Sequence, residues 1–306
     1  MKILRAATRG SKLALAQTKL VLDALQRIYP NLSAQIQIVR TAADRQPDTP
    51  LWKLEGSGFF AAALEQTLLE RKADLAVHSC KDLPTAIADG LCIAAVLERS
   101  FPEDVLVCRE PIAELAALPA RARIGTSSIR RQAQIVRLRP DAVVQPLRGN
   151  VETRLRKLRE SRFDAIVLAR AGLERLGITD WAGFAFQPEE FVPAPAQGVI
   201  AVEIARDNQI LYELLQPIHH LPTAAAAAAE RHILARLQPG CHAPVGAYAK
   251  IEGEQLTLTA FVSGLTGEPC LKEQIGGPAQ KALELADQLA QILIDKGARQ
   301  ILENDA

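Results

Sequence analysis

The chain has 306 residues, 48% of them apolar and 4% aromatic, with 36 Lys and Arg against 35 Asp and Glu. A net charge of +1 excludes a surface built throughout for nucleic acid or for an anionic membrane. A length of this order accommodates two or three domains of about 100–150 residues, with cores large enough to need no disulfide or metal.

The apolar run Ile3 to Ala7 is interrupted by Arg5, and Arg9 and Lys12 follow, so the N-terminus does not read as a targeting segment. No apolar stretch reaches the ~18 residues of a membrane-spanning helix. Leu13, Ala16, Leu20, Leu22, Leu25 and Ile28 recur near helical spacing, and Pro30 ends that element. A strand is predicted at Ile36–Val39. Residues 43–58, with two prolines, two glycines and mixed charge, read as a mobile loop. A helix from about Phe59 to Arg71 leads into a short buried-type strand, Asp74–His78.

Farther along, strands at Ala122–Gly125, Val143–Gln145 and Asp164–Ala169 alternate with helices near 129–138, 150–160 and 170–176. That alternation predicts mainly parallel sheets covered by helices. Val199–Ala205 reads as a strand after the proline-rich turn Val192–Gln197. The last stretch changes style. A helix through Ala224–Leu237, a strand alternating at Leu256, Leu258, Ala260 and Val262, and a closing helix near 281–296 predict a separate α+β unit. No solenoid-type repeat is present. The cysteines, Cys80, Cys92, Cys108, Cys241 and Cys270, are odd in number and widely spaced, which suggests a reducing compartment, the cytoplasm, rather than a disulfide framework.

Charge is distributed unevenly. Residues 121–159 hold eleven basic side chains, ten of them arginine, against Asp141 and Glu152, a local excess of 11 − 2 = +9. Arginine's planar fork binds carboxylates and phosphates bidentately. Arg156, Lys157 and Arg159 read as a solvated helix face. The segments Gly125-Thr-Ser-Ser-Ile-Arg-Arg131 and Leu147-Arg-Gly-Asn150 each follow a strand and open a helix, an arrangement that presents N–H groups, hydroxyls and arginines to an anion. No aromatic residue lies within 121–159 to stack a base, so a polycarboxylate fits better than single-stranded nucleic acid.

Two further segments stand out. His78-Ser-Cys-Lys-Asp82 follows a predicted strand, where ligands of open α/β sheets bind; the bland alternative for Asp82 is a turn cap. Pro239-Gly-Cys-His-Ala-Pro244 places a cysteine on a loop, a position more often incidental than catalytic. A metal site from His78, Cys80, Cys241 and His242 matches no standard ligand spacing, and none is expected.

Together these segments resemble the porphobilinogen deaminase family. The resemblance runs in order through Ala7-Thr-Arg-Gly-Ser11, Ala76–Asp82, Gly125–Arg131, Leu147–Val151 with Thr153-Arg154, and Ala171-Gly-Leu-Glu-Arg175. It continues through Pro193-Ala-Pro-Ala-Gln-Gly198, Ala229-Glu-Arg231 and Gly240-Cys241. It implies an α/β fold of two periplasmic-binding-protein-like domains with a cleft between them, plus a small C-terminal α+β domain. Residues 1–98 and 199–216 would form the first domain, 104–192 the second and 221–306 the third.

The activity implied is the stepwise head-to-tail condensation of four porphobilinogen molecules to hydroxymethylbilane, with loss of ammonia, on a covalently bound dipyrromethane primer. Cys241 would carry this cofactor through a thioether. Asp82 would be the catalytic carboxylate, assisting departure of the amine and stabilising the cationic azafulvene. Lys81, Thr126, Ser127, Ser128, Arg130, Arg131 and Arg148 would hold the cofactor, and Arg9, Ser11, Arg154, Arg175 and Gln197 the substrate. A bound chain of six rings presents roughly twelve carboxylates, which accounts for the arginine excess. The substrate is then a small molecule; neither nucleic acid nor membrane is an expected partner, and a monomer is expected. The alternatives are a divergent paralogue that binds pyrroles without elongating them, and a hydrolase built on Cys241 and His242. The sequence departs from the family pattern at Thr41-Ala-Ala-Asp44, which lacks an arginine, and at Glu55-Gly-Ser-Gly58, which replaces a lysine; Lys53 is kept.

Overall fold

A computed structural model of the chain describes residues 3–40, 61–238 and 243–303. The predicted loop at 43–58, both departures from the family pattern and the cysteine loop from Pro239 to His242 lie outside these residues. By its contacts the chain divides into two units, residues 1–100 with 198–224, and 101–197 with 225–306.

The first unit holds β1 (Leu4–Arg9), α1 (Lys12–Ile28), β2 (Ala34–Val39), α2 (Ala62–Leu69), β3 (Leu75–Ser79) and β4 (Leu91–Val96). The second opens with β5 (Asp104–Cys108), β6 (Arg123–Gly125), α3 (Ile129–Leu138), β7 (Val143–Gln145), α4 (Val151–Arg159), β8 (Ala165–Ala169), α5 (Arg170–Arg175) and β9 (Ala182–Ala185). The chain returns to the first sheet with β10 (Ile200–Ala205), followed by α6 (Gln209–Leu215) and α7 (Leu221–Leu237). The remaining elements are β11 (Val245–Glu252), β12 (Gln255–Ser263), β13 (Cys270–Pro278), α8 (Ala282–Asp295) and α9 (Ala298–Glu303).

The first sheet has the order β2-β1-β3-β10-β4 and the second β7-β6-β8-β5-β9. The expectation of mainly parallel sheets needs correction. β10 runs antiparallel to both β3 and β4, and β5 antiparallel to both β8 and β9. Each sheet is therefore mixed. In each, the antiparallel strand is the one that enters directly from the other unit's stretch of sequence, so no right-handed strand–helix–strand crossover sets its direction. The strands at 91–96, 104–108, 182–185, 245–252 and 270–278, and the helix at 209–215, were not among the predicted elements.

The central strands are buried on both faces, so their sequences run apolar without alternating. Leu75, Val77, Val202 and Ile204 pack with Val21 and Leu25 of α1 in the first core, and Leu106, Ile124, Val167 and Ile135 of α3 in the second. The three-stranded sheet β11-β12-β13 is antiparallel; Leu258, Ala260 and Val262 bury against Ile233 of α7 and Leu289 of α8.

Candidate active site

In the first unit, β3 ends at Ser79 and the chain turns through a single 3-10 turn, Cys80–Asp82. The turn buries Cys80, half-buries Lys81 and leaves Asp82 exposed. Asp82 lines a pocket with Arg9, Ser11, Gln17, His78 and Ser79. Arg9 ends β1, and Ser11 caps α1, its hydroxyl accepting from the Ala14 N–H at 3.2 Å. The amide of Gln17 donates to the Ser79 hydroxyl at 2.8 Å, which fixes α1 against the end of β3. Cys80 is 1% exposed, which takes the thiol beside Asp82 out of reach of solvent oxidants.

His78, which lines the pocket, also meets a buried acid that the sequence did not reveal. His78 Nε2 lies 3.1 Å from Glu203 Oε2 of β10, with the carboxylate fully buried. That distance is short enough for an ion pair, yet neither Nε2 nor either Glu203 oxygen has an aligned hydrogen bond within the protein. Burial, followed by the negative charge of Glu203, pushes the Glu65 carboxyl on α2 upward, and His78 acts in the opposite direction. Glu65 and Glu203 belong to stretches that read simply as helix and strand, so nothing local ties them to His78.

In the second unit the two anion-type loops fold as predicted from strand into helix. Ser128 caps α3 at the Arg131 N–H (3.5 Å), and Asn150 caps α4 at the Thr153 N–H (2.8 Å). The loops are tied together by Ser127, whose hydroxyl donates to the Leu147 carbonyl at 2.9 Å and accepts from its N–H at 3.0 Å. Thr126 is buried, its hydroxyl accepting from the Ser128 N–H. Arg154 Nε donates to the Gly149 carbonyl, and Arg148 is half-buried beside it. Lys157, expected on a solvated face, instead donates to the Arg148 carbonyl at 3.0 Å; Arg156 and Arg159 are exposed as expected. Burial pushes the Arg175 guanidinium down to about 10.

Much of the +9 excess is balanced by acids outside the 121–159 window. Arg123 pairs with Asp164, Arg137 with Glu268 and Arg156 with Glu160. The decisive partner is Asp104, the first residue of β5, which sequence reading overlooked. Its Oδ2 accepts from Arg130 Nη2 at 2.8 Å, and its Oδ1 from Arg131 Nη2 at 2.6 Å and Nε at 3.1 Å. Gln197 donates to the same Oδ1 at 2.9 Å and to the Pro102 carbonyl at 2.8 Å. Burial alone would raise this carboxyl. The charges of Arg130 and Arg131, with the bonds from Arg131 and Gln197, outweigh it and hold the group well below the usual carboxylate range. Nothing local in the sequence set Asp104 apart, since Asp74 and Asp164 also head apolar strands and are only half-buried.

Model matches to whole sequences decide the family. Residues 4–213 match the porphobilinogen deaminase dipyrromethane cofactor binding domain, and residues 224–295 the porphobilinogen deaminase C-terminal domain. The chain belongs to the porphobilinogen deaminase family. It is 43% identical to the porphobilinogen deaminase of Syntrophobacter fumaroxidans, over 99% of this chain and 97% of that protein. Against the porphobilinogen deaminase of Desulforudis audaxviator the identity is 45%, over 96% and 95%. Among solved structures, a periplasmic substrate-binding protein of an ABC transporter from Coxiella burnetii matches with TM-score 0.44 and 14% identity, over 74% of this chain and 95% of that one.

As a member of the porphobilinogen deaminase family the chain is an enzyme, a transferase of tetrapyrrole and haem biosynthesis with dipyrromethane as its cofactor. The donor set of the second unit fits such a group. The helix starts at Ser128 and Asn150 bring together arginines and hydroxyl-bearing residues, the chemistry that binds carboxylate arms.

Proposed function

We propose that this chain condenses four porphobilinogen molecules head to tail into hydroxymethylbilane, with Asp82 as the catalytic carboxylate and Cys241 as the point of cofactor attachment. The observation that carries this is the pocket in which Asp82 meets Arg9 and Ser11 at the end of β3. When bound, dipyrromethane supplies the nucleophilic pyrrole carbon on which the chain grows. Asp82 accepts a hydrogen bond from the departing amine and then balances the positive charge left on the substrate ring. Arg9 and Ser11 bind the acetate or propionate arm of that ring; Arg154, Arg175 and Gln197 complete the substrate set. Lys81, Thr126, Ser127, Ser128, Arg130, Arg131 and Arg148 hold the cofactor's carboxylates. Among the described residues no helix is long and apolar enough to cross a membrane, and Cys80, Cys92, Cys108 and Cys270 are free thiols. With porphobilinogen as the small-molecule substrate, we read the enzyme as cytoplasmic and monomeric.

The test is a denaturing intact mass before and after brief exposure to porphobilinogen. A mass excess of two pyrrole units, absent from Cys241→Ser, and a ladder of single-pyrrole additions are expected. Asp82→Asn should keep the excess mass while turning over about 10²–10⁴-fold more slowly. A bare polypeptide mass, unchanged by substrate even after preformed tetrapyrrole is supplied, would overturn the assignment.

A further inference from the structure

The two arginines assigned to the cofactor are not free-swinging clamps. Arg130 and Arg131 are each buried, at 5% and 6% exposure, on the first turn of α3. Three of the N–H bonds they make reach one carboxylate, that of Asp104. Their remaining bonds go to carbonyls, Arg130 Nη1 to Val192 at 2.7 Å and Arg131 Nη1 to Val167 at 3.1 Å. Val192 is itself gripped by Gln134 one turn farther along α3, which accepts from its N–H at 2.7 Å and donates to its carbonyl at 3.0 Å. Gln197 closes the arrangement by bonding Asp104 Oδ1 and the Pro102 carbonyl. Arg130 is thus held at both terminal nitrogens and Arg131 at all three, and two cations facing one anion leave a single net positive charge.

We propose that Asp104 is a positioning residue of the reaction: it orients Arg130 and Arg131 so that their remaining N–H edges bind the carboxylates of the cofactor, and it sets the charge they present. Gln197, through its bond to Oδ1, belongs to the same device. The proposal rests on the reading above that Arg130 and Arg131 hold the cofactor. Its physical basis is that a guanidinium binds a carboxylate well only when the two forks are coplanar, so a misplacement of about 1 Å at the anchor is felt at the ligand.

The experiment measures covalent cofactor loading of the full-length apo chain by preformed tetrapyrrole, as the rate of the mass increase, alongside the thermal midpoint. Asp104→Glu keeps the charge and lengthens the arm; it should melt close to the parent yet load about 10- to 100-fold more slowly. Gln197→Met, which changes no charge, should slow loading in the same direction and by less. Should Asp104→Glu fail to fold, this second variant carries the test. Arg131→Gln should also load slowly, and the double variant Asp104→Glu/Arg131→Gln should lose less than the two single losses combined, because part of the effect of Asp104 runs through Arg131 and the rest through Arg130. Loading at the parent rate by folded Asp104→Glu, by Gln197→Met when Asp104→Glu does not fold, or additive losses in the double variant, would overturn the positioning role. Loading at the parent rate by Arg131→Gln would instead overturn the cofactor-binding reading, and the positioning role with it.

Discussion

The two five-stranded sheets follow one plan. In β2-β1-β3-β10-β4 and in β7-β6-β8-β5-β9, three parallel strands come first, an antiparallel strand occupies the fourth place, and a strand of the local stretch closes the edge. Small features recur at matching places. Asp74 before β3 accepts from the backbone N–H of Arg5 at 2.8 Å and from its Nε at 3.1 Å; Asp164 before β8 accepts from the N–H of Arg123 at 2.8 Å and its Nε at 3.3 Å. A serine caps the first helix of each, Ser11 on α1 and Ser128 on α3. What differs is the acid on the fourth strand. Glu203 faces an imidazole without an aligned hydrogen bond, whereas Asp104 faces two guanidiniums and an amide. One backbone plan thus carries two electrostatic solutions, a weakly satisfied acid against His78 in the first unit and a saturated one against the arginine pair in the second.

Isosteric neutralisation of the two acids should break this symmetry most visibly. Asp104→Asn leaves two buried guanidiniums facing an amide and should cost about 3–5 kcal/mol. Glu203→Gln removes a charge that makes no aligned hydrogen bond and should change stability by only about 1 kcal/mol or less, in either direction. Urea unfolding of the two variants beside the parent measures both. Equal losses would show that depth of burial, and not the partner set, governs the cost.

Acid titration is the next most sensitive comparison, because the shifts have opposite signs. Asp104 and Asp164 are held below their unfolded value of about 3.9, so their stabilisation is present above that pH and is lost as the pH falls toward their folded values. Glu65 is held above its unfolded value of about 4.3, so its contribution is present below that pH and is lost as the pH rises through the folded value. Acidification toward pH 4 should therefore protect the first unit's amides while the second unit begins to lose protection. Native-state hydrogen exchange resolves the two, and Glu65→Gln should abolish the first unit's gain.

Much of this plan was legible from residues 122–176, where apolar runs and cap residues alternate so regularly that α3 and β7 fall where periodicity puts them. The position of Asp82 just past a buried strand was legible too, and the structure places it in the lining of a pocket. The crossing strands were harder. Asp104–Cys108 was not read as a strand, and pairing direction is set by which segments meet in the fold, which is not local. Arg130 and Arg131 show the same limit from the other side: their chemistry named them as anion binders, while their first anion, Asp104, lies 26 and 27 positions away. The Glu65, His78 and Glu203 cluster draws on three distant segments, and only His78 lies in a segment that the sequence singles out.

The smallest expected effect is also the one that separates fold from function at the matching helix caps. Ser11→Ala should cost about 1 kcal/mol as an N-cap loss, and Ser128→Ala somewhat less, since its bond to the Arg131 N–H is 3.5 Å against 3.2 Å at Ser11. Aspartate is as good a cap as serine, so Ser11→Asp and Ser128→Asp should keep the thermal midpoint of the parent. Each also places a negative charge where a ligand's carboxylate is proposed to bind. Ser128→Asp should then slow cofactor loading and Ser11→Asp should raise KM for porphobilinogen, with little change in stability. If both aspartate variants load and bind as the parent does, the two serines are caps alone, and the likeness of the two units at these positions is purely architectural.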